Sequence, residues 1–213
     1  MLSSRSKWKD LLSGQCSGCE NAGLQVACTQ ETCHDEKRCK NRATTNKTDN
    51  FLLFKTQKKG MGLKTMVDLN EGDLVLQYIG KVIPTRTYLK RLRLKKLNDP
   101  VYFMELDKGQ IIDAEGMGNL ARFINHSCEG NCRSDKYTAE GRPVLCIFAA
   151  TDIKAGTELT YDYAFETDEE PWKCFCGSKL CRGTITKPKN SEVSYYNCWQ
   201  ASVRGWPHVF QNV

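Results

Sequence analysis

Apolar residues in this chain fall in short runs that are separated by turn residues, rather than in long periodic stretches. A run of roughly four to eight apolar or β-branched residues between turn signals is typical of a β-strand. The runs predict strands at 51–54, 74–79, 101–106, 110–113 and 144–149. Turns are predicted at 59–63 and at the pairs Gly72-Asp73, Lys108-Gly109 and Glu140-Gly141. The pattern therefore predicts a mostly β fold of several small sheets with short helices.

One segment in the middle of the chain has a helical period instead. Residues 85–97 follow Pro84, and Tyr88, Leu89 and Leu92 fall on one stripe of the predicted helix. Basic residues fill most of its remaining positions, and 98–100 contain the proline that ends it. A helix with one narrow apolar stripe predicts contact with a sheet on one side and a basic surface on the other.

Length and charge limit the class of protein. A chain of 213 residues with 40% hydrophobic residues fits one domain with small appendages. No run of about 18 apolar residues is present, so we expect no membrane span. Residues 1–15 are polar and basic without an apolar signal core, so we expect no secretion. The formal net charge of +6 suits a nucleosome surface or another acidic partner.

The chain has twelve cysteines, and most of them lie in two clusters. Short spacings without an export signal favour zinc over disulfides, which are typical of secreted proteins. We expect Cys146 to be a plain core residue, since it lies inside an apolar run. The irregular segment 16–42 is of a kind that needs metal to fold. The clusters are Cys16, Cys19, Cys28, Cys33 and Cys39 near the start, and Cys174, Cys176 and Cys181 further on.

Three blocks follow in order in the second half of the chain. They are Arg-Phe-Ile-Asn-His-Ser-Cys-Glu-Gly-Asn-Cys at 122–132, Glu-Leu-Thr-Tyr-Asp-Tyr at 158–163 and Cys-Phe-Cys-Gly-Ser-Lys-Leu-Cys at 174–181. Together they resemble the C-terminal half of a SET domain with its post-SET zinc loop, as found in protein lysine methyltransferases. The first cysteine cluster resembles the last five of the seven cysteines in the associated-with-SET subdomain. Among these enzymes, the chain is most similar to those that methylate histone H3 at lysine-36.

The resemblance implies S-adenosylmethionine as cofactor. In the family the turn at Gly60 and Gly62 wraps this cofactor with its backbone, although Met61 replaces an aromatic residue there. Asn125 would orient the amino-acid end of the cofactor, and the backbone of His126 would bond the adenine. The other residues implied in cofactor binding are Tyr102, Phe123, and the lid aromatics Trp172 and Phe175.

The resemblance also implies a lysine channel lined by tyrosines. Tyr163 would be the catalytic tyrosine, and Tyr161 would limit how many methyl groups the product carries. Tyr102 lies where the family has a further channel tyrosine. In isolation, two tyrosines spaced by two positions are most often packing residues. The sequence block around Tyr161 and Tyr163 favours a role in the lysine channel instead.

Both predicted metal ions would be structural zinc. By resemblance, Cys128 completes the site of Cys174, Cys176 and Cys181, with Cys132 as the second candidate for that place. Cys16, Cys28, Cys33 and Cys39 would complete the other site. Cys19 would remain as a metal ligand outside this four-cysteine site. A further metal there would lack ligands, because residues 1–15 contain no cysteine or histidine.

These observations predict a domain order and a set of partners. Residues 1–15 are a flexible start, 16–50 an associated-with-SET-like zinc subdomain, 51–165 the SET domain, 166–184 the post-SET loop and 185–213 a tail of unknown role. We expect a histone tail or nucleosome as partner, non-specific DNA contact through the basic surface, and a place in the nucleus on chromosomes. Alternatives are another lysine target, an inactive chromatin-binding module and a zinc-dependent nucleic-acid binder. Gln77 and Lys81 replace residues that are usually acidic in the family.

Overall fold

The computed structural model describes residues 19–29, 31–33, 39, 41, 48–95, 99–166 and 172–187. Its two α-helices are α1 (Glu20–Gly23) and α2 (Thr85–Leu92), and short 3-10 turns cover Thr48–Asn50 and Leu120–Phe123. The strands are β1 (Phe51–Lys55), β2 (Met61–Thr65), β3 (Leu74–Gln77), β4 (Lys81–Pro84), β5 (Phe103–Asp107), β6 (Gln110–Asp113), β7 (Asn125–His126), β8 (Cys132–Ala139), β9 (Arg142–Ala149), β10 (Thr160–Tyr161), β11 (Phe165–Glu166) and β12 (Thr186–Lys187).

The strands form several small sheets, as the sequence predicts. The largest has five strands in the order β3-β9-β8-β10-β7, and a three-stranded sheet has the order β4-β6-β5. The pairs β1-β2 and β11-β12 form the two remaining sheets of the described chain. Within the largest sheet, β10 pairs in parallel with β7, so that Thr160 lies beside Asn125 and Tyr161 beside His126. Two of the sequence blocks therefore become neighbours through backbone hydrogen bonds.

A central apolar cluster joins these sheets. Leu63 of β2, Leu76 of β3, Ile147 of β9 and Leu159 are each 0% exposed within it. Each side chain of this kind that leaves water on folding stabilises the fold by about 1.5–3 kcal/mol. Tyr102, Phe123 and Tyr163 pack against the same cluster while remaining partly exposed. The core thus carries the candidate site residues on its edge.

A second packing layer lies between α2 and the three-stranded sheet. Ile83, Phe103 and Ile111 are buried there, and Tyr88 of the helix packs against them. The Tyr88 and Phe103 rings meet edge to face at a centroid distance of 5.1 Å. The apolar stripe predicted for the helix is the face that makes this contact.

Several element bounds differ from those predicted. The helix predicted over 85–97 ends at Leu92 and continues as a turn through Arg93 and Leu94. The turn predicted at 59–63 ends at Gly60, because Met61 already pairs with Lys55 across the β1-β2 hairpin. Strands β4 and β8 were not predicted; β8 mixes polar and apolar residues along its length and is held by pairing with β9.

Two predicted turns are confirmed. Glu140 and Gly141 have φ of 51° and 72°, which matches the hairpin turn that needs two positive φ values. Lys108 and Gly109 join β5 to β6. Across the described residues, no helix is long and apolar enough to cross a membrane.

Candidate functional site

The glycine turn before β2 lies beside Asn125. Gly60 has a φ of 74°, a conformation that glycine adopts at little cost. A Cβ at Gly62 would lie 2.9 Å from the Phe54 ring and 3.0 Å from the Glu158 carboxylate, so this position has no room for a side chain. The Met61 side chain is 42% exposed, which leaves its thioether available to a ligand.

Asn125 is tied to this turn by its side-chain amide. Its Nδ2 donates to the carbonyl oxygen of Met61 at 3.1 Å and to Oε1 of Glu158 at 3.0 Å. Oε2 of Glu158 accepts a hydrogen bond from Nζ of Lys59 at 2.7 Å. The three predicted cofactor positions Gly60, Gly62 and Asn125 therefore come together, and Glu158 joins them as a residue that the sequence did not single out.

The predicted channel tyrosines Tyr161 and Tyr163 line one cavity, and Tyr163 bonds the residue that precedes Asn125. The rings of Tyr161 and Tyr163 are 4.8 Å apart, and the Tyr163 hydroxyl donates to the carbonyl oxygen of Ile124 at 2.8 Å. The Tyr161 hydroxyl contacts Sδ of Met104 at 3.4 Å. Tyr102 packs edge to face on Phe123 at 6.4 Å. A cavity opens between these elements, lined by Tyr78, Val101, Phe103, Met104, Arg122, Tyr161 and Tyr163.

Tyr102 is not among these lining residues, although its chain neighbours Val101 and Phe103 are, and its ring is held by Arg122. The Arg122 guanidinium stacks 4.4 Å from the centre of the Tyr102 ring and donates to the carbonyl oxygens of Ala114 and Glu115. The Tyr102 carbonyl oxygen accepts from the Tyr78 hydroxyl at 3.1 Å. Arg122 and Tyr78 are site residues that sequence reasoning missed, although Arg122 opens the block at 122–132 and Tyr78 lies in the predicted strand at 74–79.

The phenols around the cavity stay protonated at neutral pH. Desolvation by burial raises the pKa of Tyr161 and Tyr163 above the usual value of 10.0, and the neighbouring phenol adds to the rise at Tyr161. Burial raises the pKa of Tyr78 as well. Such groups act as hydrogen-bond donors and acceptors rather than as bases.

His126 is buried, and its ring contacts both the tyrosine block and a cysteine, while the backbone bond to adenine stays a prediction. Nδ1 accepts from the backbone N–H of Tyr163 at 3.2 Å, which places the proton of the neutral ring on Nε2. Nε2 then faces Sγ of Cys128 at 3.5 Å. The imidazole therefore connects the tyrosine block with a thiol of the second cysteine cluster.

The predicted ligands of the second cluster meet in one place. The Sγ atoms of Cys128, Cys174, Cys176 and Cys181 all lie within 4.8 Å of one another, and those of Cys128 and Cys174 are 3.9 Å apart. Tetrahedral zinc with Zn–S bonds near 2.3 Å needs sulfur atoms about 3.8 Å apart. Cys132 does not belong to the group; it is buried in β8, so the second candidate for the fourth ligand is wrong.

Backbone amides point at three of these thiols, and burial raises the pKa of Cys128 and Cys174 whereas that of Cys176 is lowered. The N–H groups of Cys176, Arg182 and Gly183 point at Sγ of Cys174, Cys128 and Cys181, each at 3.4 Å. Burial alone would raise the pKa of Cys176, but hydrogen bonds from the backbone of Cys128 and Ser178 lower it to about 6. A thiolate at neutral pH is the form that binds zinc.

The first cluster is described in part. Sγ of Cys28, Cys33 and Cys39 lie within 4.8 Å of one another, and Sγ of Cys19 is 3.6 Å from that of Cys28. Cys16, the predicted fourth ligand, lies outside the described residues. Asn41 donates from Nδ2 to Sγ of Cys28 at 3.3 Å, which supports a thiolate there. None of the ten cysteines in the described part of the chain is in a disulfide.

The loop at 174–182, which carries three cysteines of the second cluster, is hydrogen-bonded to the tyrosine block at 158–163. Both guanidinium nitrogens of Arg182 donate to Asp162, at 2.8 and 2.9 Å, and Asp162 lies between Tyr161 and Tyr163. Phe175 is 45% exposed with Lys173 Nζ 5.4 Å from its ring centre, and Trp172 is half-buried. The lid role of both aromatics stays a prediction.

A thiol cluster tied to a tyrosine block, beside a glycine turn and an asparagine, is the arrangement that the sequence resemblance implies. Residues 60–164 match the family profile described as SET domain. The chain belongs to the SET-domain family.

Characterised SET proteins match most of the chain. The histone-lysine N-methyltransferase ASHH2 of Arabidopsis thaliana is 39% identical over 181 residues, which are 82% of this chain and 10% of that protein. A Homo sapiens histone-lysine N-methyltransferase, H3 lysine-36 specific, is 36% identical over 183 residues, 84% of this chain and 7% of that protein. The chain thus spans about a tenth or less of the curated relatives it matches.

Solved SET structures have the same fold. The methyltransferase domain of human SETMAR has a TM-score of 0.64 and 28% identity, covering 76% of this chain and 68% of that one. KRYPTONITE in complex with mCHG DNA and SAH has a TM-score of 0.54 and 32% identity, covering 64% of this chain and 29% of that one.

Proposed function

We propose that the chain is a protein-lysine N-methyltransferase that uses S-adenosylmethionine and acts on histone H3 at lysine-36. One observation carries the proposal. The Tyr163 phenol bonds the carbonyl oxygen of Ile124, whose neighbour Asn125 bonds the glycine turn. The predicted lysine side and the predicted cofactor side of the site are therefore adjacent in the chain and in space. Names of the relatives support the histone substrate.

The residues on the cofactor side fit S-adenosylmethionine. Gly60 is exposed without a side chain, Met61 offers an exposed apolar side chain, and the buried Gly62 lets Glu158 approach the turn closely. Asn125 adds a polar group at the edge of this surface. When bound, the cofactor supplies a methyl group on a positively charged sulfur. A solved SET neighbour, KRYPTONITE, is in complex with SAH, the demethylated form of the same molecule.

The residues on the lysine side suit an amine. A lysine side chain has a pKa near 10.4 in water, and its amine must lose a proton before it can act as a nucleophile. The cavity between Phe103, Met104 and the tyrosines disfavours a charged amine, because its walls are buried and the Arg122 guanidinium lines it with a like charge. The protonated phenols of Tyr161 and Tyr163 can orient the lone pair of the neutral amine without removing protons themselves.

The zinc ions would be structural. The four thiols around Cys128 fit a closed tetrahedral site with no open position for substrate. Zinc there would hold the 174–182 loop against the tyrosine block, where Arg182 already bonds Asp162. The first cluster would take zinc on Cys28, Cys33 and Cys39, with the fourth ligand among the remaining N-terminal cysteines.

We further propose that the predicted DNA contact lies on α2. Arg86, Lys90 and Arg93 are exposed and recur at a spacing that places them on one flank of the helix. Lys81 of β4 is exposed on the side of the sheet that faces α2, because it shares a face with Ile83. Cations arranged in this way fit a phosphate backbone. A histone substrate with a DNA contact would place the protein on chromosomes in the nucleus.

One experiment tests the main proposal. The protein, with radiolabelled S-adenosylmethionine, is offered whole nucleosomes, free histones, and nucleosomes in which H3 lysine-36 is replaced by arginine. We expect label on H3 of the first and none on the third. Equal label on the arginine nucleosome would point to another target lysine. No transfer to any substrate, with cofactor binding retained, would favour the inactive chromatin-binding module.

A further inference from the structure

The Glu158 carboxylate is the one charged group that joins the two halves of the cofactor surface within the described chain. It precedes the tyrosine block, and its side chain is 25% exposed. Oε2 bonds Lys59 of the glycine turn at 2.7 Å, and Oε1 bonds Asn125 of β7 at 3.0 Å. Its backbone bridges Lys64 of β2, and its carbonyl oxygen accepts from Asn131 at 2.8 Å. The carboxylate therefore sits on a backbone fixed at several points.

The contacts of Asn125 fix the direction of its amide. Nδ2 has two partners, the carbonyl oxygen of Met61 and the carboxylate of Glu158, and neither can donate a hydrogen bond. The amide nitrogen must therefore face them, and Oδ1 must face away. Within the part of the chain that the structure describes, no donor reaches Oδ1 of Asn125. The side chain thus presents an acceptor to a ligand.

An acceptor beside a carboxylate favours a ligand group that is positively charged and carries hydrogens. Lys59 faces the carboxylate on its other oxygen and so offsets part of the negative charge. Gly62 allows the close approach, since a Cβ there would come within 3.0 Å of Oε1. With Glu158, Lys59 and Gly62 arranged in this way, Oδ1 of Asn125 is oriented to accept a hydrogen bond from an ammonium group.

We propose that Glu158 is a positioning residue for the cofactor, which holds Asn125 so that Oδ1 accepts a hydrogen bond from the α-ammonium of its amino-acid end. This inference rests on the proposed function, because only a ligand with that ammonium uses the orientation. Without the carboxylate, the Asn125 amide can rotate and present its N–H groups to the ammonium. The adenosine part of the ligand does not depend on this contact.

The test compares two ligands by calorimetry. S-adenosylhomocysteine carries the amino-acid end, and 5′-methylthioadenosine lacks it. For Glu158→Ala we expect affinity for S-adenosylhomocysteine to fall about 10-fold, the size of one hydrogen bond to a charged group, while affinity for methylthioadenosine stays within about 2-fold. Glu158→Gln keeps an acceptor for Asn125, so its loss should be smaller than that of the alanine variant.

A matched control removes a carboxylate with a lysine partner elsewhere. Asp68 bonds Nζ of Lys154 at 2.8 Å and the N–H of Ala155 at 2.9 Å rather than any residue of the cofactor surface, and Asp68→Ala should leave both affinities unchanged. Equal losses for both ligands in Glu158→Ala would show a general structural role and overturn the inference, as would no loss for either. In both cases the proposed function stands. A wild-type protein that binds neither ligand overturns the proposed function together with the inference.

Discussion

At the scale of single residues, we expect the Tyr163 phenol to contribute to methyl transfer but not to cofactor binding. Its hydrogen is donated to the carbonyl oxygen of Ile124, so toward the lysine side its oxygen can act only as an acceptor. We expect Tyr163→Phe to lower methyl transfer about 100-fold or more, because one preorganised polar group at a reacting centre has about that effect. Affinity for S-adenosylhomocysteine should remain within about 2-fold. Turnover and calorimetry on the same preparation measure the two quantities.

The pH dependence gives Tyr163 a second readout. Burial raises its pKa above 10.0, so the phenol stays protonated throughout the range in which a lysine amine becomes neutral. Transfer by the wild type should therefore rise with pH up to about pH 9.5, with no falling limb from this phenol. Undiminished turnover in Tyr163→Phe would remove the residue from the mechanism whatever the profile.

Tyr161 governs a different property, the number of methyl groups. Its hydroxyl donates to the weak acceptor Sδ of Met104 at 3.4 Å, its one hydrogen bond among the described residues, and Tyr161 lines the cavity. We expect the wild type to stop mainly at one or two methyls, because the phenol oxygen takes space and can hold a water beside the amine. Tyr161→Phe should shift the product toward trimethyl-lysine by roughly tenfold, a change worth about 1–2 kcal/mol.

Mass spectrometry after exhaustive reaction decides this prediction. Mostly trimethylated product from the wild type would show that Tyr161 does not set the limit. A slower variant with an unchanged product would leave Tyr161 as a packing residue against its neighbour Tyr163.

The sequence could predict these tyrosines but not all their neighbours. Tyr161 and Tyr163 lie in a recognisable block, whereas Tyr78 and Arg122 reach the cavity only because β3 and the 120–123 turn pack on the same core. The sequence assigns no role to Glu158. Its hydrogen bond with Asn125 joins residues that are 33 positions apart in the chain. Such contacts come from the folding of separate segments and have no local signal.

At the scale of elements, all the charged side chains of α2 are basic. It has no acidic residue in its first turn, and Arg86 and Lys90 are four positions apart on an exposed flank. Like charges at this spacing destabilise a helix by roughly 0.2–0.5 kcal/mol per pair. Packing of Tyr88 on the three-stranded sheet offsets that cost. Lys90 lies in the last turn, where a cation interacts favourably with the helix dipole, whereas helix stability does not explain Arg86 in the first turn.

We expect the double change Arg86→Gln and Lys90→Gln to weaken nucleosome binding through lost phosphate contacts. The slope of log affinity against log salt concentration should become shallower by about 2, close to 0.9 for each contact. Methylation of a free histone peptide should stay unchanged. Titrations at several salt concentrations measure the slope.

A second double change provides the matched control. Arg142→Gln with Lys154→Gln also removes one arginine and one lysine, both exposed and both outside α2. Equal effects of the two double changes would mean that net charge, rather than this helix, governs the interaction with DNA.

The elements themselves were predictable to different degrees. The β5-β6 and β8-β9 hairpins follow from turn residues with positive φ, and α2 begins where predicted. Its end at Leu92 was not predictable from the apolar stripe, because basic residues continue the helical pattern beyond the sheet that supports it. Strand β10 ends at Tyr161, and Tyr163 reaches the cavity through an irregular segment rather than through strand alternation.

At the scale of the whole molecule, the second thiol cluster connects distant parts of the chain. It joins Cys128, which follows β7, to the loop that begins at Cys174. That loop returns to the core through Arg182 on Asp162 and through the Leu180 N–H on the Glu129 carboxylate at 3.2 Å. A metal in this cluster would therefore fix both the lid and the tyrosine block.

We expect two zinc ions for each chain, and one fewer in Cys176→Ser. The serine hydroxyl is a poor zinc ligand at neutral pH, whereas Cys176 has a pKa lowered to about 6 and is ready to bind. Loss of the ion should free the Arg182 loop, weaken S-adenosylhomocysteine binding, and lower the melting temperature by about 4–8 °C if about 2 kcal/mol of stability is lost.

Cys146→Ala is the control, since Cys146 is buried in β9 away from both clusters and its loss should leave the zinc count unchanged. Metal analysis of the folded proteins measures the count. Zinc-free wild type would refute the metal sites, and three ions would show that Cys19 has acquired enough partners for a further one.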